Sequence, residues 1–214
     1  NGGCPFERTR GRNLKPWDPK SYWTYDASWA RASNTPFRLY KQNQHEGGIS
    51  SPLIAHWPNG LKTKRGSITR QPAHLIDFMA TFLELGNAKY PRQAGNRVIE
   101  PLEGKSLVPI FKNAERKGHE ALYFHFGTDR ALRQGKWKLV SAKKGKWELY
   151  DMSKDRTELI DLAEKFPTKV ETMKEIWFDI AKNKERLNQN GLSPVKGVIK
   201  ELSFRKDTSN QLNN

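Results

Sequence analysis

Between residues 121 and 151 the chain carries four short strand-like runs in succession, joined by links too short for anything but hairpins. The runs are Ala121–Phe126, Arg130–Arg133, Trp137–Ser141 and Trp147–Asp151, and turns containing Gly127-Thr128, Gly135 and Lys143-Lys144-Gly145 separate them. A parallel connection needs roughly a dozen residues or more to cross back, so these runs predict an antiparallel meander. Behind them Val170, Met173, Ile176, Trp177 and Ile180 form one apolar stripe at helical spacing. Thr168 and Glu171 stand at the spacing of a capping box in front of it. The pattern predicts a helix of about five turns laid across the meander, with the stripe as core.

The first half reads differently. Pro52-Leu-Ile-Ala-His-Trp57 is an apolar run set between Gly47-Gly48 and Pro58-Asn59-Gly60, which predicts a buried strand. From Pro72 to Leu85 the residues Leu75, Phe78, Met79, Phe82 and Leu83 recur at three- and four-residue spacing, and Gly86 follows as a stop. Strand, loop and helix in this order predict the edge of an α/β sheet. Residues 1–35 show neither period and read as an ordered loop, since Trp17, Tyr22, Trp23 and Tyr25 argue against disorder. The chain is polar and unpatterned from about residue 188 and reads as a tail. The expected organisation is therefore the end of an α/β domain over 1–110, a small α+β subdomain over 111–187, and a tail over 188–214.

Composition narrows the function classes. The net charge is +15, from 38 Lys+Arg against 23 Asp+Glu. A basic surface can meet nucleic acid, an anionic membrane or an acidic substrate. The excess is spread along the chain, with local clusters such as Lys62–Arg65 and Lys143–Lys146 beside glycines, as solvated turns have. No apolar run approaches the length of a membrane span. A single cysteine, Cys4, rules out an internal disulfide and a Cys-based zinc site. The five histidines, at 45, 56, 74, 119 and 125, form no closely spaced ligand pair. The chain opens on Asn-Gly-Gly without an initiator Met, which leads us to expect a fragment whose export leader would lie upstream.

One stretch combines order, spacing and residue type. It runs Phe37-Arg38-Leu39-Tyr40-Lys41, four residues, Glu46-Gly47-Gly48, then Pro52-Leu53-Ile54-Ala55-His56-Trp57-Pro58. Here the sequence resembles the sulfatase family, in its bacterial arylsulfatase-like branch. The resemblance continues through Leu75–Leu85, through Gly104-Lys105-Ser106-Leu107 (with Glu103 where the family has Asp), and through Arg130–Arg133, Trp137–Val140 and Glu148–Asp151. It also takes in Asp155-Arg156-Thr157-Glu158, with Arg156 replacing a proline. In all it reaches from residue 1 to about 180.

The resemblance implies the C-terminal portion of an alkaline-phosphatase-like sulfatase fold and a sulfuric ester hydrolase activity in the intact protein. It implies a formylglycine nucleophile encoded upstream and a calcium ion that holds it and the sulfate. Asn1-Gly2-Gly3 matches the end of the family's Asp-Asn-Gly segment, so Asn1 is the expected metal ligand, and hard oxygen donors suit calcium. Lys41 matches the lysine that contacts the sulfate ester. Its chemistry is direct: negative charge grows on the bridging oxygen as the ester breaks, and a fixed ammonium stabilises it. His125, on the first meander strand, is a second expected substrate contact. The expected substrate is a sulfated small molecule or a sulfated glycan, with no nucleic-acid partner, and the expected location is periplasmic or secreted. The 214 residues alone are expected to be inactive.

Other residues are set aside. Cys4 is followed by Pro5-Phe6-Glu7-Arg8, in which proline falls one position too early for a formylglycine motif. His45 and Glu46 are adjacent, and neighbours on extended backbone point apart, so they do not read as an acid–base pair. Arg38 reads as a residue that pins its own loop. Two alternatives compete: a phosphodiesterase or phosphonate hydrolase of the same superfamily, and a basic module binding polyanions, for which charge is the sole support.

Overall fold

The structure is a computed structural model and describes residues 3–4, 13–15, 17–21 and 26–185. In chain order its elements are helix α1 (Asp26–Ser33), the single turn α2 (Glu46–Ile49), helix α3 (Asp77–Leu85) and the short strands β1 (Gln93–Ala94) and β2 (Arg97–Val98). There follow the turn α4 (Val108–Phe111), strands β3 (Leu122–Phe126), β4 (Asp129–Gln134), β5 (Trp137–Ser141) and β6 (Glu148–Asp151), and helix α5 (Pro167–Lys184). These group into two units, one from residues 1–50 and 123–214, the other from residues 51–122.

The first unit is built on the expected meander, with strand order β3-β4-β5-β6. Gly127 and Gly135, both at positive φ, close the first two hairpins, a conformation that costs glycine nothing. Leu132 pairs with Leu139, and Leu139 with Leu149, while Ala131 pairs with Val140 and Lys138 with Tyr150. Alternation along each strand therefore sends the leucine row to one face and the Ala131, Val140, Lys138 and Tyr150 set to the other. Helix α5 covers the leucine face and buries Val170, Met173, Trp177 and Ala181. The Trp177 indole donates to the Phe124 carbonyl at 3.2 Å, and the Arg130 guanidinium lies 5.6 Å from its ring centre. The second face is covered too, by the segment leading into α2. That double cover is why β5 is buried at four consecutive residues, Lys138 to Ser141, where a one-sided sheet would alternate.

The second unit, residues 51–122, has little apolar core. Its centre is the fully buried Asp77 carboxylate at the start of α3. One oxygen accepts from the Lys105 amide at 2.9 Å and faces His119 Nε2 at 2.6 Å. The other accepts from the His74 amide at 2.8 Å and from Arg116 at 2.9 Å. A step further along α3, Thr81 takes the Leu107 amide at 2.9 Å. A Cβ on Gly104 would stand 1.9 Å from the Ile76 carbonyl oxygen, so only glycine lets these two backbones meet. By contrast, Leu75, Met79 and Phe82 of the α3 stripe are more than half exposed.

Three expectations are corrected, and one element had no counterpart in the sequence pattern. Pro52–Trp57 forms no strand and pairs with none among the described residues, and Ile54 is 86% exposed; an apolar run becomes a strand only beside a ladder partner. The stretch read as loop contains α1, which buries Ala30 alone and is too short to show a period. The hairpin of β1 and β2, exposed throughout, has no apolar alternation to reveal it. Thr168 and Glu171 do not cap α5: Phe166 is the N-cap, Pro167 opens the first turn, and no side chain caps it. Proline's preset φ places the start there, leaving Glu171 to pair with Lys174 at 2.8 Å. The expected tail, 188–214, lies outside the described residues.

Candidate active site

The segment from Phe37 to Ser50 is a loop closed by the α2 turn, and its conformation is forced from beneath. Leu39 and Gln42, on either side of Tyr40 and Lys41, both have positive φ, 62° and 78°. Such backbone costs on the order of 1–3 kcal/mol per residue and persists only where the surroundings over-determine it. Here the surroundings are the two glycines. The Gly47 amide donates to the Arg38 carbonyl at 2.8 Å. A Cβ on Gly47 would fall 2.2 Å from that oxygen and 2.3 Å from that of Leu39, and one on Gly48 would fall 1.9 Å from the Asn43 oxygen. Neither glycine has the positive φ expected of a sharp turn. The pair is there because the turn and the loop touch backbone to backbone.

Ion pairs fasten this assembly to the sheet. Lys138, in the middle of β5 and fully buried, places its ammonium 2.8 Å from a Glu46 carboxylate oxygen and 2.8 Å from Glu158. The other Glu158 oxygen accepts the Glu46 amide at 2.8 Å. Glu158 itself sits at φ 58° and is fully buried. Arg156 approaches the second Glu46 oxygen at 3.4 Å. Burial pushes the Glu46 carboxyl up, but Lys138 together with Arg133 and Arg156 outweighs it and holds the group below its ordinary range. Arg38 donates to Glu148 at 3.2 Å, to the Tyr150 hydroxyl at 2.7 Å and to the Glu158 carbonyl at 2.8 Å. His45, buried beside them, faces Glu148 at 3.1 Å, and burial pushes its pKa down. Thus Arg38 pins its loop to β6, and His45 and Glu46 turn to different partners.

Lys41 is half-buried, and its amide donates to the Gly3 carbonyl at 3.0 Å. Asn34 strengthens that junction: its side chain accepts the Gly3 amide at 3.1 Å and donates to the Leu39 carbonyl at 3.0 Å. Asn1 lies outside the described residues. His125 has both ring nitrogens engaged, with Glu185 at 2.7 Å and the Gly127 carbonyl at 3.0 Å, and meets Trp177 edge-on. A substrate reaching His125 would first have to displace Glu185. Among the described residues no group of three or more His, Cys, Asp or Glu is placed to hold a metal ion. Sequence reading missed Lys138 and Glu158 as parts of this arrangement. Nothing local marks them, because a strand lysine is ordinarily solvated and only the covered second face buries this one.

Comparison with known proteins gives the geometry its class. Residues 37–186, from the Lys41 loop through α5, match the family described as "N-sulphoglucosamine sulphohydrolase, C-terminal". The chain belongs to the sulfatases, as a C-terminal region of that family. It is 37% identical over 111 residues to the steryl-sulfatase of Mus musculus, covering 51% of this chain and 16% of that protein. It is 33% identical over 96 residues to a sulfatase of Formosa agariphila, covering 44% of this chain and 16% of the relative. The chain therefore spans about a sixth of the length of these relatives. A solved structure titled "Crystal structure of Ps i-CgsB" superposes with a TM-score of 0.56 at 21% identity, over 83% of this chain and 38% of that one. It supports the fold alone. No helix among the described residues is long and apolar enough to cross a membrane.

Proposed function

We propose that this chain supplies the lysine that meets the sulfate ester in a sulfuric ester hydrolase, with Lys41 as that residue. The observation that carries the reading is the bond between the Lys41 amide and the Gly3 carbonyl. It ties position 41 to the backbone two residues after Asn1, as one site built from both positions requires. Lys41 would bind the ester as a cation and stabilise the charge that develops on its bridging oxygen when the bond to sulfur breaks. Arg38, Glu46 and the two glycines hold the loop that presents it.

The family resemblance extends the proposal to an arylsulfatase-like reaction with calcium and a formylglycine, Asn1 being one calcium ligand and the nucleophile lying elsewhere in the whole protein. The proposed substrate is a sulfated small molecule or a sulfated glycan, in line with relatives such as an N-acetylgalactosamine-6-sulfatase of Mus musculus. His125 enters only as a substrate contact that exchanges Glu185 for the ligand. Export to the periplasm or outside the cell belongs to the same reading.

The test is turnover by the whole protein that carries these residues. It should release sulfate from aryl sulfates or sulfated oligosaccharides, and Lys41→Ala should lower kcat by about 100-fold or more, the scale of a lost transition-state donor. Unchanged kcat in a folded Lys41→Ala protein would remove the assignment.

A further inference from the structure

We infer that Lys138, Glu46 and Glu158 act as positioning residues for Lys41, a buried charge clamp that sets the loop geometry from under the sheet. The inference rests on the proposed role of Lys41 and adds the device that aims it. The chain of contacts is continuous. Lys138 projects from the middle of β5, donates a hydrogen bond to Glu46 at 2.8 Å, and stands 2.8 Å from a Glu158 oxygen as a charge contact without hydrogen-bond geometry. Glu158 grips the Glu46 amide at 2.8 Å, so Glu46 is held by both its backbone and its side chain. The next two residues are the glycines against which the carbonyls of Arg38, Leu39 and Asn43 rest. The Asn43 amide and side chain both bond to the Tyr40 carbonyl, at 3.1 and 3.0 Å. Every step from Lys138 to the peptide before Lys41 is thus a bond of ordinary length or a direct backbone contact.

Two features set this apart from a plain stability element. Each of the three charged side chains is at most 3% exposed, and an apolar set of similar volume is often as stabilising as a buried ion pair or more so. Hydrophobic packing would hold a sheet; a directional, multidentate network holds one particular loop conformation. That loop also contains two residues in left-handed backbone, a state that survives only under external constraint. A displacement of about 1 Å at a catalytic group can cost on the order of 100-fold in rate.

The test uses the whole protein with a series of aryl sulfates whose phenols differ in acidity. Lys41 serves the leaving oxygen, so its loss or misplacement weighs most on the least acidic phenols and steepens the dependence of kcat/KM on leaving-group pKa. The variants are Lys41→Ala, Glu46→Gln, Glu158→Gln and the Lys41→Ala/Glu46→Gln pair, each checked for a folded melting transition above the assay temperature. If Glu46→Gln does not fold, Glu158→Gln, which keeps an acceptor for the Glu46 amide, stands in for it. Expected are a fall in kcat of up to about 100-fold with KM nearly unchanged, a steepened leaving-group dependence like that of Lys41→Ala, and little further loss in the pair, as coupled residues show. A folded Glu46→Gln or Glu158→Gln protein with the wild-type leaving-group dependence overturns the clamp and leaves Lys41 assigned. A Lys41→Ala protein with that wild-type dependence overturns the role of Lys41, and the clamp falls with it.

Discussion

Asp77 and Arg116 form an ion pair of 2.9 Å whose side chains are 0% and 3% exposed. The same carboxylate also accepts the Lys105 and His74 amides and faces His119. Unit 51–122 is organised around this one group. Asp77→Ala should therefore destabilise that unit by about 3–5 kcal/mol, because Arg116 would stay buried without its partner. Urea unfolding followed by circular dichroism measures it; a loss below about 1 kcal/mol, the scale of an exposed pair, would show the hub to be unimportant.

The acid stability profile should fall in two stages. Burial holds the His45 pKa below its ordinary 6.5, so the folded state favours the neutral ring. The unfolded chain then binds the extra proton first, and the His45 contribution is complete above about 6.5 and lost as pH drops below it. His74, also depressed chiefly by burial, acts in the same direction. The carboxyls of Asp77, Glu46 and Glu148 are depressed as well: burial raises each, and hydrogen bonds and cations outweigh it. Their contribution is complete above about pH 4 and is lost as pH falls through their lower folded values. Melting temperatures between pH 8 and 3 should show both steps, and His45→Gln should shrink the first. A first step of undiminished size in His45→Gln would mean that His45 does not drive it.

Gly48→Ala should act through the loop rather than the sheet. The added Cβ lands 1.9 Å from the Asn43 carbonyl oxygen, which no rotamer change can relieve because the obstacle is backbone. Overpacking of this kind costs about 1–3 kcal/mol or more. Melting should register that loss, with near-normal sheet content in circular dichroism. Unchanged melting would mean that the turn and the loop are not in contact.

Trp177→Ala should damage the first unit most of all single truncations on α5. The ring is fully buried, stacks on Tyr123 at 5.1 Å and bonds to the Phe124 carbonyl. Removing a buried aromatic costs about 3–5 kcal/mol. Thermal melting together with near-ultraviolet dichroism would measure it, and a loss under about 1 kcal/mol would mean that α5 is not docked through this residue.

The local pattern was enough to determine the meander, its hairpin turns, α3 and α5. These elements depend on neighbours in sequence: two-residue alternation, three- and four-residue stripes, and glycines where a turn needs positive φ. The motif around Lys41 and Glu46-Gly47-Gly48 was likewise legible as a candidate site through its resemblance to the sulfatase family, since the order and spacing that carry the resemblance are local. What lies beneath it was not. Lys138 stands 92 residues from Glu46, and Glu148 stands 110 from Arg38. The buried lysine looks like any strand lysine until the second face of the sheet is covered. Pro52–Trp57 fails as a predicted strand for the related reason that pairing requires a partner, which no local pattern supplies. Periodicity is a one-dimensional property and survives in the sequence. A charge network, a backbone-to-backbone contact and the second cover of a sheet exist only once distant segments meet, and those the tertiary structure decided.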